Sequence, residues 1–142
     1  MTRAHAGSTL RSVDADDLQL IPLFANLTDD VRAQAAQRLK EVDVVLGTPL
    51  ARQGDFSYHY FVVLEGLAAV TIEGRQVDTL GPGSSFGEIG VLERGPRTAN
   101  VVAITPMRLL SMTTWDFNDL AEASPEFLAH AKSMAQLRLD RD

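Results

Sequence analysis

Apolar and polar positions follow three rhythms along the chain. Between Asp14 and Leu27 the apolar residues Leu18, Leu20, Ile21, Leu23 and Phe24 are packed closely and broken by Pro22, which predicts a helical turn docked on the body. Thr28 reads as an N-cap, with Asp29 and Asp30 in the first turn where acids suit the helix dipole. Val31, Ala35 and Leu39 follow in steps of four and predict a helix to about Lys40. From Val42 the rhythm shortens. Glycine or proline recurs at Gly47, Pro49, Gly54, Gly66, Gly74, Gly81, Pro82, Gly83, Gly95, Pro96 and Pro106. Between them lie runs rich in β-branched and aromatic residues: Tyr60–Leu64, Leu67–Ile72, Gln76–Leu80, Ala99–Thr105 and Arg108–Met112. Short strands with frequent turn signals predict a sandwich or barrel, with Glu73-Gly74 as a tight turn. The helical rhythm returns at the end. Thr114 reads as the cap of a helix holding Trp115, Phe117, Leu120 and Ala121, and Ser124-Pro125 as the start of another. Phe127, Ala131, Met134 and Arg138 share one face of that last helix.

The resulting organisation is a disordered tail over residues 1–13, helices within 14–40, a β roll over 42–113 and C-terminal helices over 114–139, all of 14–142 being one domain. A length of 142 residues suits one domain with a real core. The net charge of −6 argues against a broad nucleic-acid surface. There is no cysteine, which excludes a disulfide framework and zinc–thiolate sites. No apolar run reaches the ~18 residues needed to span a bilayer, and the N-terminus lacks a signal-peptide core, so a cytoplasmic location is expected.

Metal and nucleophilic chemistry find no support. His5, His59 and His130 fall in no ligand spacing, so no metal is expected. There is no G-x-S-x-G and no Walker-type loop. The chain is expected not to be an enzyme.

One stretch stands apart, FGEIGVLERGPRTANVVA over residues 86–103. Gly87-Glu88-Ile89-Gly90 can begin a single helical turn, whose free N–H groups make an anion site, and glycines let backbone approach a ligand closely. Arg97, after the Gly95-Pro96 turn, can meet the same anion through bidentate hydrogen bonds. Glu88 would repel a phosphate but can accept from a sugar hydroxyl. The bland alternative is a Glu88–Arg97 ion pair that fastens a loop. Arg138, which ends an apolar stripe, either snorkels off the packed face or reaches something anionic or planar.

The stretch closely resembles the phosphate-binding cassette of the cyclic nucleotide-binding domain family: F-G-E, small or apolar residues, a variable loop, then R-[ST]-A-x-V. The resemblance runs from about Leu18 to Leu139 and is strongest to the domains of cyclic-nucleotide-gated channels, including bacterial ones. It implies an eight-stranded antiparallel jelly roll with N-terminal helices and two C-terminal helices, in agreement with the reading above. It also implies cAMP or cGMP as ligand. Arg97 would bind the exocyclic phosphate together with backbone N–H groups of Gly87, Glu88, Ile89, Gly90 and Ala99. Glu88 would accept from the ribose 2′-hydroxyl. Thr98 would bond the phosphate and leaves a guanine base open beside adenine. Val70 would line the base pocket, and Arg138 would act as a lid over the purine. Many relatives carry Asp where Tyr58 stands, so either Asp55 substitutes to steady Arg97 or Arg97 is held less firmly. The expected output is movement of the last helix onto an unknown effector protein or domain, with no nucleic-acid partner and no membrane insertion. A degenerate roll serving only as a protein-interaction module is the alternative. A transcription factor of the same family is not expected, since the 142 residues hold only two predicted helices after Thr113.

Overall fold

The computed structural model describes residues 9–52, 59–87 and 99–141, with 134–141 as backbone alone. Two antiparallel sheets face each other. The strands are β1 (Thr9–Ser12), β2 (Lys40–Val44), β3 (Pro49–Ala51), β4 (His59–Glu65), β5 (Ala68–Ile72), β6 (Arg75–Leu80), β7 (Ser85–Gly87), β8 (Asn100–Ala103) and β9 (Met107–Thr113). One sheet has the order β1-β2-β9-β4-β7 and the other β3-β8-β5-β6. The helices are α1 (Pro22–Ala25), α2 (Asp29–Arg38), α3 (Thr114–Ala123) and α4 (Pro125–Arg141), preceded by a 3-10 turn over Ala15–Leu20. This is the expected jelly roll with helices at both ends of the chain.

Period-two alternation decides which core each strand residue joins. On β4, Tyr60 and Val62 point to the helices, while Phe61 and Val63 point into the roll. On β9, Leu110 and Met112 face the helices, and Met107 and Leu109 face the roll. The five-stranded sheet is therefore apolar on both faces. Its helix side packs on Leu18, Phe24, Leu39, Phe117 and Phe127, among others.

Local chemistry sets the helix ends. The Thr28 hydroxyl accepts from Val31 N–H at 3.2 Å and starts α2. Ser124 Oγ accepts from Phe127 N–H at 3.2 Å, and Pro125 opens α4, as its missing N–H allows. α3 is capped by Thr113, not Thr114: β9 runs through Thr113, whose extended backbone lets Oγ1 accept from Asp116 N–H at 3.1 Å. At the Glu73-Gly74 turn both residues have positive φ, 52° and 79°, the geometry of a type I′ hairpin.

Two boundaries are corrected. The tail expected over residues 1–13 holds an edge strand at residues 9–12, paired antiparallel with β2. β1 brings the strands among the described residues to nine. It is held by Arg11, whose Nη1 donates to Asp43 Oδ2 at 2.8 Å and whose Nη2 also donates to Glu41. The helical segment expected to reach Lys40 ends at Arg38, because Lys40 already pairs with Ser111 in the sheet.

Candidate functional site

The roll interior is bordered by β7 and β4 on one sheet and by β5 and β8 on the other. Its buried lining is apolar and mostly small: Ala51, Ala68, Val101 and Ala103 face Val63, Phe86 and Leu109. Leu50, Phe61 and Val70 pack on this cluster but stay partly exposed. The Phe61 and Phe86 ring centroids lie 5.2 Å apart, and the His59 ring stacks on Phe61 at 6.0 Å. Sequence reasoning missed Phe61, whose only signal was its place in an alternating strand.

Three of the expected ligand residues lie within the described residues with their surroundings. Val70 sits on β5 across from Val101 of β8, half-buried against the roll cluster, so its side chain faces the interior. Ala99 immediately precedes β8 and is half-buried. Gly87 ends β7 opposite Tyr60. Its φ of 142° disfavours any side chain, and a Cβ there would lie 2.5 Å from the His59 carbonyl oxygen and 2.7 Å from Tyr60 Cα. Glycine at this point is dictated by strand β4 passing directly behind it.

Glu88, Ile89, Gly90, Arg97 and Thr98 lie outside the described residues, as do Tyr58 and Asp55. Of Arg138, only the backbone within α4 is described. α4 itself passes close to β7 and α1. Its first half is fastened by Phe127, whose ring lies 5.9 Å from Phe24 and 5.0 Å from Phe117, with Phe117 in turn 4.8 Å from Tyr60. His130 Nδ1 lies 3.4 Å from the Leu23 carbonyl oxygen and ties α4 to α1.

Sequence reasoning also missed Arg32. Its guanidinium is buried and donates to the carbonyls of Phe24 at 3.3 Å, Ala25 at 3.1 Å and Leu27, and to the Asp29 carboxylate. These carbonyls lie where α1 ends and gives way to α2, so Arg32 locks the two helices together.

Among the described residues no group of three or more His, Cys, Asp or Glu could hold a metal ion. No described helix is long and apolar enough to cross a membrane. Among the described residues, no titratable side chain is buried in the roll. Such an interior suits contact between a flat apolar group and small side chains.

The described structure is a jelly roll with flanking helices, in which Gly87 leads directly into the F-G-E…R-T-A segment. The family profile described as "Cyclic nucleotide-binding domain" matches residues 41–124. The chain belongs to this family. It is 33% identical over 121 residues to the human potassium/sodium hyperpolarization-activated cyclic nucleotide-gated channel 4, a match that covers 85% of this chain and 10% of the channel. It is 31% identical over 121 residues to a cyclic nucleotide-gated potassium channel of Rhizobium etli, covering 85% of this chain and 33% of that one. The chain thus spans a third or less of these curated relatives. The solved structure of the regulatory domain of Toxoplasma gondii PKA with cAMP superposes with a TM-score of 0.72 at 22% identity, over 86% of this chain and 48% of that one, a likeness of fold.

Proposed function

We propose that this domain is a non-catalytic receptor for cAMP, with cGMP as the second candidate, and that it signals by moving α4. The observation that carries the reading is Gly87. Its positive φ and the β4 backbone 2.5 Å from where a Cβ would sit fix how the chain turns out of β7. It leads directly into the segment that holds Glu88 and Arg97.

In this reading Arg97 and the N–H groups of Gly87, Glu88, Ile89, Gly90 and Ala99 bind the cyclic phosphate. Glu88 accepts from the ribose 2′-hydroxyl, Thr98 bonds the phosphate, and Val70 contacts the base. Arg138 and Met134 supply the lid. A ligand shifts the lid only by binding one of its positions more tightly than the other. Because Phe127 and His130 fasten the first half of α4 to α1 and α3, displacement of the lid carries strain into those helices, and the effector would read that strain. The domain is proposed to work in the cytoplasm.

A thermal scan with each nucleotide tests binding. A ligand that binds only the folded state adds about 2.7 kcal/mol at a hundredfold excess over Kd, a rise of several degrees. Arg97→Ala should abolish the rise, and Arg138→Ala should reduce it less. No shift with millimolar cAMP or cGMP would leave the alternative, a roll that acts only as an interaction module. That alternative draws its support from Tyr58, which stands where many relatives carry Asp.

A further inference from the structure

The helix side of the five-stranded sheet is not covered along its whole length. The helices bury Tyr60, Val62, Leu110 and Met112. Two residues before Leu110 on the same face, Arg108 lies at the surface in an ion-pair ladder that crosses four strands. Its Nε is 3.2 Å from Asp43 Oδ1, and its Nη1 is 3.3 Å from Glu65 Oε2. Arg11 completes the ladder from β1.

Between this charged end and the 3-10 turn runs a cleft of about 620 Å³. Leu18, Leu20 and Ile21 form one wall, and Leu64 and Leu110 the other. Leu20 at the lip is 86% exposed, which is unusual for a leucine beside a core. The polar rim is acidic in balance. Asp17, Glu41 and Glu65 border the cleft against the single cation Arg108. Glu41 and Glu65 are already engaged in the ladder, whereas Asp17 is exposed and has no side-chain partner among the described residues.

An apolar trough with a net negative rim is complementary to a segment of the opposite design. We propose that this cleft docks a cationic amphipathic segment of a partner protein. Apolar side chains of the partner fill the trough beside Leu20, and a lysine or arginine sits at Asp17. Leu20 at the lip favours an extended partner, because a small ligand confined to the cavity would leave it in water. The cleft lies on the helix face of the sheet, whereas the nucleotide reading uses the roll interior, so the two stand or fall separately.

Amide NMR of the full chain tests this, with a short lysine–leucine helical peptide as probe and its glutamate–leucine counterpart as control. The lysine peptide alone should produce saturable shifts at Leu18–Ile21, Leu64 and Gly83. Asp17→Lys should weaken it about fivefold, since it replaces an exposed attraction with a repulsion. Leu20→Ser should weaken it about tenfold through lost apolar burial. Both residues are exposed, so the unbound spectra should report an unchanged fold. Absent shifts, equal shifts with both peptides, or indifference to both substitutions would overturn the proposal.

Discussion

On the helix side of the five-stranded sheet, Phe24, Tyr60, Phe117 and Phe127 are all 0% exposed and touch ring to ring. On the roll side the buried positions are mostly alanines and valines, and the larger Leu50, Phe61 and Val70 remain partly open. Both regions are apolar, and both grow from the same strands. The first is filled by its own aromatic rings, as protein interiors ordinarily are. The second is lined mostly by small side chains. One is therefore a sealed core that fixes where the helices stand, and the other is a small-residue lining whose larger members stay partly exposed. A hydrophobic pattern alone does not tell a core from a lining; side-chain volume does.

The largest expected effect lies in the sealed core. Phe117→Ala removes the ring between Tyr60 and Phe127 and should cost about 3–5 kcal/mol in urea unfolding. That is a large part of the 5–15 kcal/mol typical of a whole domain. A loss below about 1 kcal/mol would show that the aromatic column is not what holds α3 and α4 on the sheet.

Gly87→Ala probes the border of the lining. A Cβ 2.5 Å from backbone oxygen forces β7 away from β4, at a cost of about 2–3 kcal/mol and with loss of any nucleotide-induced thermal shift. Gly74→Ala is the matched control, since φ there is also positive but no atom lies within 4 Å of the added Cβ. It should cost only about 1 kcal/mol of backbone strain and leave the ligand response intact. Equal losses at the two glycines would mean that strand approach, the feature that singles out Gly87, contributes nothing.

The smallest effect belongs to the edge outside both regions. The hydrogen bond from Arg11, helped by one from Arg108, holds the Asp43 carboxyl below its ordinary 3.8, although desolvation pulls it the other way. The unfolded chain then binds the proton more readily than the folded one. The pairing is fully present above that ordinary value and is lost as pH falls through the lower folded value. Amide shifts of β1 should move toward unstructured values as pH falls below about 4, while those of β9 stay in place. Simultaneous loss of both strands would show that β1 is integral to the sheet.

Much of this fold was legible because its signals are local. A capping hydroxyl three residues before its target, a proline at the first position of α4 and a Glu-Gly turn act within one turn of chain. The features that escaped are held from far away. The residues Thr9–Ser12 have no apolar period of their own, and their strand exists because Glu41 and Asp43 present carboxylates to Arg11. Arg32 reads as a solvent-facing helix residue until α1 ends beside it and turns its last carbonyls toward the guanidinium. The choice of Thr113 over Thr114 as the cap of α3 depends on how far β9 runs before the sheet releases it.

By itself, the order of residues determined the alternation of apolar positions, the turn sites, the helix starts and the cassette motif that marks the family. It did so because dihedral preferences and short-range hydrogen bonds depend on neighbours in the chain. Only the tertiary structure decided which face of β4 meets helices and which meets the roll. It also decided that β4 runs behind Gly87 and that the acidic cleft beside Leu20 stays open. Those outcomes depend on which distant surfaces come into contact, and no local run of residues encodes a distance to a strand it does not touch.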